Sequence, residues 1–341
     1  MFFLLSNARR FANNHVVLFE KNESMIFQVL FVIFGFISLI YGANWLVDGA
    51  SAFAKKKNIS DLAIGLTIVA FGTSAPELVV NIIGSLNGYS DIILGNIVGS
   101  NNFNLFIILG ISGLILPITV QSSTAWKEIP ISLFVTIIVF VFINDFTFSS
   151  QSTLSRIEGG SMLLVFFVFL YYVFYQMKRN EHIETEYTHM LTVKIWMLII
   201  LGLSGLIIGG QLVVDNSIAL AKHFGVSEKI IGLTIIAAGT SLPELVTSIV
   251  AAIKKNSDIA IGNVIGSNIF NILLILSISS IINPITYNPK FNMDFYILIG
   301  GTIFLLIAMI TGKRKKLDRW ESFILLAFYL VYISFLISKE I

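Results

Sequence analysis

Two glutamates, Glu77 and Glu244, stand near the middle of long apolar runs that contain no lysine or arginine. An ionised carboxylate at mid-bilayer costs at least ~2.5–3.5 kcal/mol. Two of them brought together would also repel, and one would take a proton. A bound cation compensates both charges at once; a protonated, hydrogen-bonded pair of structural glutamates is the alternative. The neighbouring residues are those that hold hard cations. Each glutamate closes a Gly-Thr-Ser-x-Pro-Glu run (Gly72–Glu77, Gly239–Glu244), and each is followed by Gly-Asn-x-x-Gly-Ser-Asn-x-Phe-Asn (Gly95–Asn104, Gly262–Asn271). Thr73 and Glu77 are four apart, as are Asn96, Ser100 and Asn104, so each set shares one helix face. Thr240 with Glu244, and Asn263, Ser267 and Asn271, repeat the spacing. Pro76 and Pro243 lack an N–H, which frees the carbonyls of Gly72 and Gly239 and favours a local break. Irregular backbone at membrane depth is tolerated where it lines a cavity. A lining of carboxylates, carbonyls, hydroxyls and amides suits Ca²⁺ or Na⁺, and nothing in it offers the nitrogen or sulfur that favours zinc or copper.

These residues need elements that carry them to one place. Residues 65–119 and 232–286 align without a gap at a constant offset of 167 positions, with more than half of the pairs identical. The 341 residues are 56% hydrophobic and only 12% charged, with mean hydropathy +0.87. So little charge cannot cover a soluble domain of this size, and the apolar runs are long enough to cross ~30 Å of hydrocarbon as helices. The chain reads as an all-α polytopic membrane protein of ten spans, centred near residues 36, 74, 104, 136, 169, 205, 242, 270, 303 and 330. Residues 1–24 form an N-terminal extension, interfacial or loosely ordered, and contain no h-region of a cleaved signal peptide. Residues 25–177 make a first five-helix repeat, 178–194 a polar cytoplasmic loop, and 195–341 a second repeat. Five is odd, so the second repeat enters the membrane inverted, with a pseudo-two-fold axis in the membrane plane. Spans 4, 5, 9 and 10 are aliphatic and aromatic walls. Spans 2, 3, 7 and 8, interrupted by small and polar residues, form the core. Spans 1 and 6, rich in glycine (YGANWLVDGA, IIGGQLVVDN), are the candidates for a sliding gate.

Lysine and arginine divide fourteen to eight between the two sets of loops, which places the richer set in the cytoplasm and both termini outside. Asp91 and Asp258 open spans and read as helix N-caps. Asp48 and Asp215 end spans near water, and their matching positions leave a gating role open. Thr67 and Thr234 are expected to bond their own i−4 carbonyls. His15, His182, His189 and His223 are placed outside the spans, which disfavours a histidine proton relay. The run Gly312–Arg319 reads as a topology anchor at the lipid surface. The chain has no cysteine, hence no disulfide or thiolate site. No Walker motif or Ser-His-Asp pattern suggests ATP drive or hydrolysis. The expectation is a transporter, not an enzyme, without cofactor or nucleic-acid partner, that sits in the cell membrane and works as a monomer.

At GTSAPE with GNIVGSNNFN, and GTSLPE with GNVIGSNIFN, the chain resembles the sodium/calcium exchanger family of calcium/cation antiporters, in its compact prokaryotic form. The resemblance implies two inverted five-helix repeats and exchange of Na⁺ for Ca²⁺ by alternating access. It implies that Glu77 and Glu244 grip Ca²⁺ with the carbonyls of Thr73 and Thr240. Sodium sites would use Ala70, Thr73, Ser74 and Ser100 on one side, and Ala237, Thr240, Ser241 and Ser267 on the other. Asn104 matches the family's central amide. Asn271 departs from it: related prokaryotic exchangers often carry an aspartate there, and an acid at that position accompanies potassium dependence in relatives. The amide leaves two acids in the pocket, makes potassium coupling less expected and leaves the ion count open. Two alternatives stand beside sodium/calcium exchange: a calcium/proton exchanger of the same superfamily, with H⁺ as the coupled ion, and a cation channel.

Overall fold

The computed structural model describes residues 2–119, 124–144, 152–179, 190–224, 237–311 and 315–340. Most of the central loop 178–194, with His182 and His189, lies outside the described residues. So do Thr234, part of the Gly312–Arg319 run, and the side chains of residues 1–24, His15 among them. Helix α1 (Phe2–Lys57) crosses the membrane over Met25–Lys57. A broken span follows as α2 (Asp61–Thr73) and α3 (Ala75–Leu86), bent by 49°. Then come α4 (Ser90–Ile115), α5 (Trp126–Asn144), α6 (Arg156–Gln176) and α7 (Thr192–His223). The shorter α8 (Leu242–Ile253) precedes α9 (Ser257–Ile282), α10 (Pro289–Ile310) and α11 (Arg319–Leu336). The described residues thus hold eight long apolar helices and one bent pair, nine spans. The tenth expected span is described only from Ala237, as a single turn (Ala237–Gly239) and α8.

The repeats are antiparallel, and charged contacts at the two faces show it. One face gathers the end of α1, the start of α2, the chain after α4 and the α8–α9 connection around an open vestibule of about 880 Å³. There Lys254 Nζ lies 2.7 Å from Asp48 Oδ1, and Asn256 donates to Asp61 and Ser51. The opposite face joins the α3–α4 connection to the chain after α9: Lys290 pairs with Asp91, and Thr286 N–H donates to Ser90 Oγ. Helix α4 therefore runs from the second face to the first, and α9 runs back. The inversion read from an odd span count is present in the fold.

Burial sorts the helices as composition does. In their most apolar stretches α9 is 94% buried and α4 72%, against 28–44% for α5, α6, α10 and α11. In each repeat a tyrosine–carboxylate bond helps to tie the wall helices in pairs. Tyr172 of α6 donates to Glu128 of α5 at 2.7 Å, and Tyr332 of α11 donates to Asp294 of α10 at 2.6 Å. Helices α1 and α7 cross on the axis at backbone distance. A methyl group on Gly202 would lie 2.6 Å from Leu46 N and 2.8 Å from Gly42 O. Ser38 Oγ donates to the carbonyl of Gly205, its own repeat equivalent. Small residues permit this approach, and in lipid the packing itself holds such a pair together.

The all-helical reading holds with one small addition, and two expectations about single residues need correction. The fold includes four two-residue strands: β1 (Ile118–Thr119) pairs antiparallel with β4 (Lys316–Leu317), and β2 (Thr153–Leu154) with β3 (Ile285–Thr286). Pro117 and Pro284 end the helices before β1 and β3, since a residue before proline is driven out of helical geometry. Leu116 and Asn283 are accordingly extended. Asp91 and Asp258 are not N-caps. Each sits one residue inside its helix, where its charge faces the positive N-terminal end, while Asn256 caps α9 through Ile259 N–H. His223 is not outside a span but closes the last turn of α7, a favourable place for a basic residue at a helix C-terminus. Thr67 bonds Ala63 O as expected.

Candidate functional site

The breaks before Glu77 and Glu244 are where the two repeats meet. Ser74 and Ser241 both leave helical geometry (φ −81°, ψ 9°; φ −88°, ψ 7°), and proline then sits in the first turn of α3 and of α8. Proline is pre-organised there, because its missing N–H would have had no intrahelical partner. Each glutamate falls in the first turn of a new helix, directly after the break. The released N–H groups and the helix dipole favour negative charge at such a point.

Both carboxylates are fully buried, and each is held by serines of both repeats. Glu77 Oε1 accepts from Ser241 at 3.2 Å and from Ser100 at 3.5 Å. Glu244 Oε1 accepts from Ser74 at 2.9 Å and from Ser267 at 3.5 Å. The exchange continues one residue earlier. The Thr73 hydroxyl lies 3.0 Å from Asn263 Oδ1, and the Thr240 hydroxyl 3.2 Å from Asn96 Oδ1. The Ala70 carbonyl accepts from Ser74 N–H. The backbone of Ala237 opens the turn before Thr240. Asn81 donates to the Glu77 carbonyl at 2.7 Å, whereas Asn263 serves the Glu244 carbonyl, because serine (Ser248) stands in the second repeat where Asn81 stands in the first.

Four asparagines cross the axis beside the carboxylates. Asn104 Nδ2 donates to Asn268 Oδ1 at 3.1 Å, and Asn271 Nδ2 to Asn101 Oδ1 at 2.9 Å. Asn101 and Asn268 donate in turn to each other's backbone carbonyl, both at 3.3 Å. Asn104 and Asn271 lie in turns of wider, π-type winding, Phe103–Ile108 and Asn271–Leu276, a distortion frequent at functional sites. Spacing singled out Asn104 and Asn271 but gave Asn101 and Asn268 no role. The available signal was that both copies keep asparagine at this buried position.

The chemistry of this centre lies in what it leaves over. Glu77 Oε2, Glu244 Oε2, Asn104 Oδ1 and Asn271 Oδ1 are buried acceptors without a donor in the protein. Buried polar groups are nearly always paired, and each exception needs an explanation. Two symmetric carboxylate oxygens and two symmetric amide oxygens are ligands of the type that hard cations take. Among the described residues no group of three or more His, Cys, Asp or Glu could hold a metal ion. The centre therefore relies on two acids with neutral oxygens around them.

Comparison with known proteins agrees with this construction. A profile described as "Sodium/calcium exchanger protein" matches residues 27–175 and again 194–338, one match per repeat. The putative antiporter CaxA of Alkalimonas amylolytica is 38% identical over 92% of this chain and all of its own length. The sodium/calcium exchanger MaX1 of Methanosarcina acetivorans is 31% identical over 89% of this chain and 97% of its own. Among solved structures, the sodium-calcium exchanger NCX_Mj soaked with 2.5 mM Na⁺ and 10 mM Sr²⁺ superposes with a TM-score of 0.78 at 32% identity, over 91% of this chain and 99% of that one. With its two inverted repeats and this centre between them, the chain belongs to the sodium/calcium exchanger family.

Proposed function

We propose that this protein exchanges Na⁺ for Ca²⁺ across the cell membrane by alternating access. The observation that carries the reading is the pair of buried carboxylates held by serines of both repeats, with a donor-less oxygen left on each of Glu77, Glu244, Asn104 and Asn271. In this reading the two carboxylates grip Ca²⁺, helped by the carbonyls of Thr73 and Thr240. Na⁺ takes flanking positions built from Ala70, Thr73, Ser74 and Ser100, and from Ala237, Thr240, Ser241 and Ser267. Na⁺ and Ca²⁺ compete because their ligands overlap. An empty pocket carries two unpaired negative charges at mid-membrane, so the gate passes it only when ions neutralise it; that condition couples the two gradients.

Helices α1 and α7 are the moving part. Their glycine contact makes them one body, and α7 meets the core through Leu203 at Gly72 and Val214 at Gly239, the glycines just before each break. Sliding of the pair opens the site to one face or the other. The lysine-rich face with Lys55, Lys254 and Lys316 is assigned to the cytoplasm, both termini lie outside, and one chain suffices for transport.

The test uses purified protein in liposomes with opposing Na⁺ or H⁺ gradients while ⁴⁵Ca²⁺ uptake is followed. Uptake driven by outward-directed Na⁺ is expected. Uptake that ignores Na⁺ and follows pH would replace this reading with calcium/proton exchange, and uptake without any counter-ion would point to a channel.

A further inference from the structure

An amide can present a cation with its oxygen, which attracts, or its nitrogen, which repels, and half a turn about one bond separates the two. In Asn104 and Asn271 each nitrogen is held by an oxygen of the opposite repeat, and each oxygen is left without a donor. That polarity is set one residue further back. Asn101 and Asn268 donate their Nδ2 to each other's backbone carbonyl, and a carbonyl can only accept. A half-turn of Asn101 would set its Oδ1 against the carbonyl oxygen of Asn268 and its Nδ2 against the Nδ2 of Asn271. Both contacts would become repulsive. The orientation therefore propagates in one direction: backbone carbonyl, then Asn101 or Asn268, then the ligand amide, then the ion.

We infer that Asn101 and Asn268 are positioning residues that hold the amide oxygens of Asn271 and Asn104 toward the bound cation, each residue acting on the amide of the opposite repeat. The inference rests on the exchange reading only in taking the axial centre as the cation site. It also gives a reason why amides at both 104 and 271 suit this chain. A carboxylate at 271 has no hydrogen to give Asn101 Oδ1, whereas an amide satisfies that oxygen and still offers one of its own.

Equilibrium binding of ⁴⁵Ca²⁺ to detergent-purified protein tests this without requiring transport, and a Kd does not depend on how much protein folds. Asn101→Leu is expected to weaken binding about five- to tenfold, the scale of one neutral hydrogen bond. The pattern among double variants is decisive. Asn101→Leu should add little to Asn271→Leu, because it acts through that amide, but should add nearly in full to Asn104→Leu; Asn268→Leu should show the mirror image. Full additivity in both pairings, or an unchanged Kd in Asn101→Leu and Asn268→Leu, would overturn the inference. If leucine prevents folding, Asn101→Ser and Asn268→Ser carry the same cycles. Wild-type protein that binds Ca²⁺ but does not couple it to Na⁺ would overturn the exchange reading and leave this inference standing. Wild-type protein that binds no Ca²⁺ would overturn both.

Discussion

At the centre of the molecule Ser241 serves Glu77 and Ser74 serves Glu244, so each repeat completes the other's site with the same residues. At the membrane faces the same two repeats part company. Where α1 ends, Asp48 meets Lys254 of the α8–α9 connection. The matching positions in the other repeat are Asp215 and Asn87, and among the described residues Asn87 donates to Ile83 O in its own helix. Symmetry is kept at the proposed cation site and given up at the rim of the proposed gate. A symmetric centre lets the same ligands serve an ion arriving from either side. Asymmetric ends let the two access states differ in free energy, and a two-state carrier needs such a term to set its resting population.

The largest expected effect tests the symmetric half of this contrast. Glu77→Gln and Glu244→Gln each remove one of two compensating charges and leave a neutral group in its place. A loss of about 3 kcal/mol of cation binding corresponds to roughly a hundredfold rise in the Ca²⁺ concentration for half-maximal uptake. Both variants should lose about the same amount in ⁴⁵Ca²⁺ uptake by liposomes. One variant that stays active while the other fails would break the equivalence of the two glutamates and sink the shared site.

How far the sequence reaches differs between centre and rim. Glu77 and Glu244 could be found because an acid in an apolar run is costly wherever the helix goes, and the 167-residue repeat named its partner. The inversion followed from an odd number of spans. The buried core was legible as well, since Ser and Asn recur within the spans α4 and α9 that the fold encloses. The tie of Tyr172 to Glu128 and the mutual bonds of Asn101 and Asn268 join residues 44 and 167 positions apart, and no local period encodes such a distance. Asn101 and Asn268 are repeat equivalents that meet each other, which happens only where the axis passes between them. The short strands were hidden for another reason: two residues are too few to show a period, and a preceding proline marks only two of the four.

A second, smaller effect comes from the gate pair. Gly202→Leu forces α1 and α7 apart, because the new side chain would meet the backbone of Leu46 and Gly42 at 2.6–2.8 Å, and backbone cannot turn aside. Uptake should fall at least tenfold, together with a lower thermal midpoint of the purified protein. Gly72→Ala is the contrast. Its methyl would meet Leu203 Cδ2 at the far end of a flexible side chain, so folding should survive with uptake reduced a few-fold. Equal damage in both variants would show that the gate is held to the core as tightly as its helices are held to each other, and sliding would lose its support.

The smallest effect probes the asymmetric rim. Lys254 Nζ bonds Asp48 Oδ1 and also the Asn44 carbonyl, at 2.7 and 3.1 Å, so it ties the end of the gate helix to the core at that face. Both side chains are partly exposed, and ion pairs of this kind contribute only about 0–1 kcal/mol. Lys254→Asn places in the second repeat the residue the first already has at position 87. It should shift the balance between access states by no more than about fivefold toward opening at the vestibule face. A cysteine label placed in the vestibule and read by a membrane-impermeant thiol reagent should then react faster, while Ca²⁺ affinity stays as it was. Asp48→Asn should give the same shift, and the double variant no more than either alone. Because the pair is exposed, about 1 M salt should shrink the difference from wild type, the Debye length there being roughly 3 Å. Asn87→Lys should push the balance the other way, by placing a lysine at the position that matches Lys254, with Asp215 at the position that matches Asp48. If both lysine changes move accessibility in the same direction, the rim contacts do not set the balance between states, and the asymmetry must lie inside the core, where Asn81 and Ser248 differ.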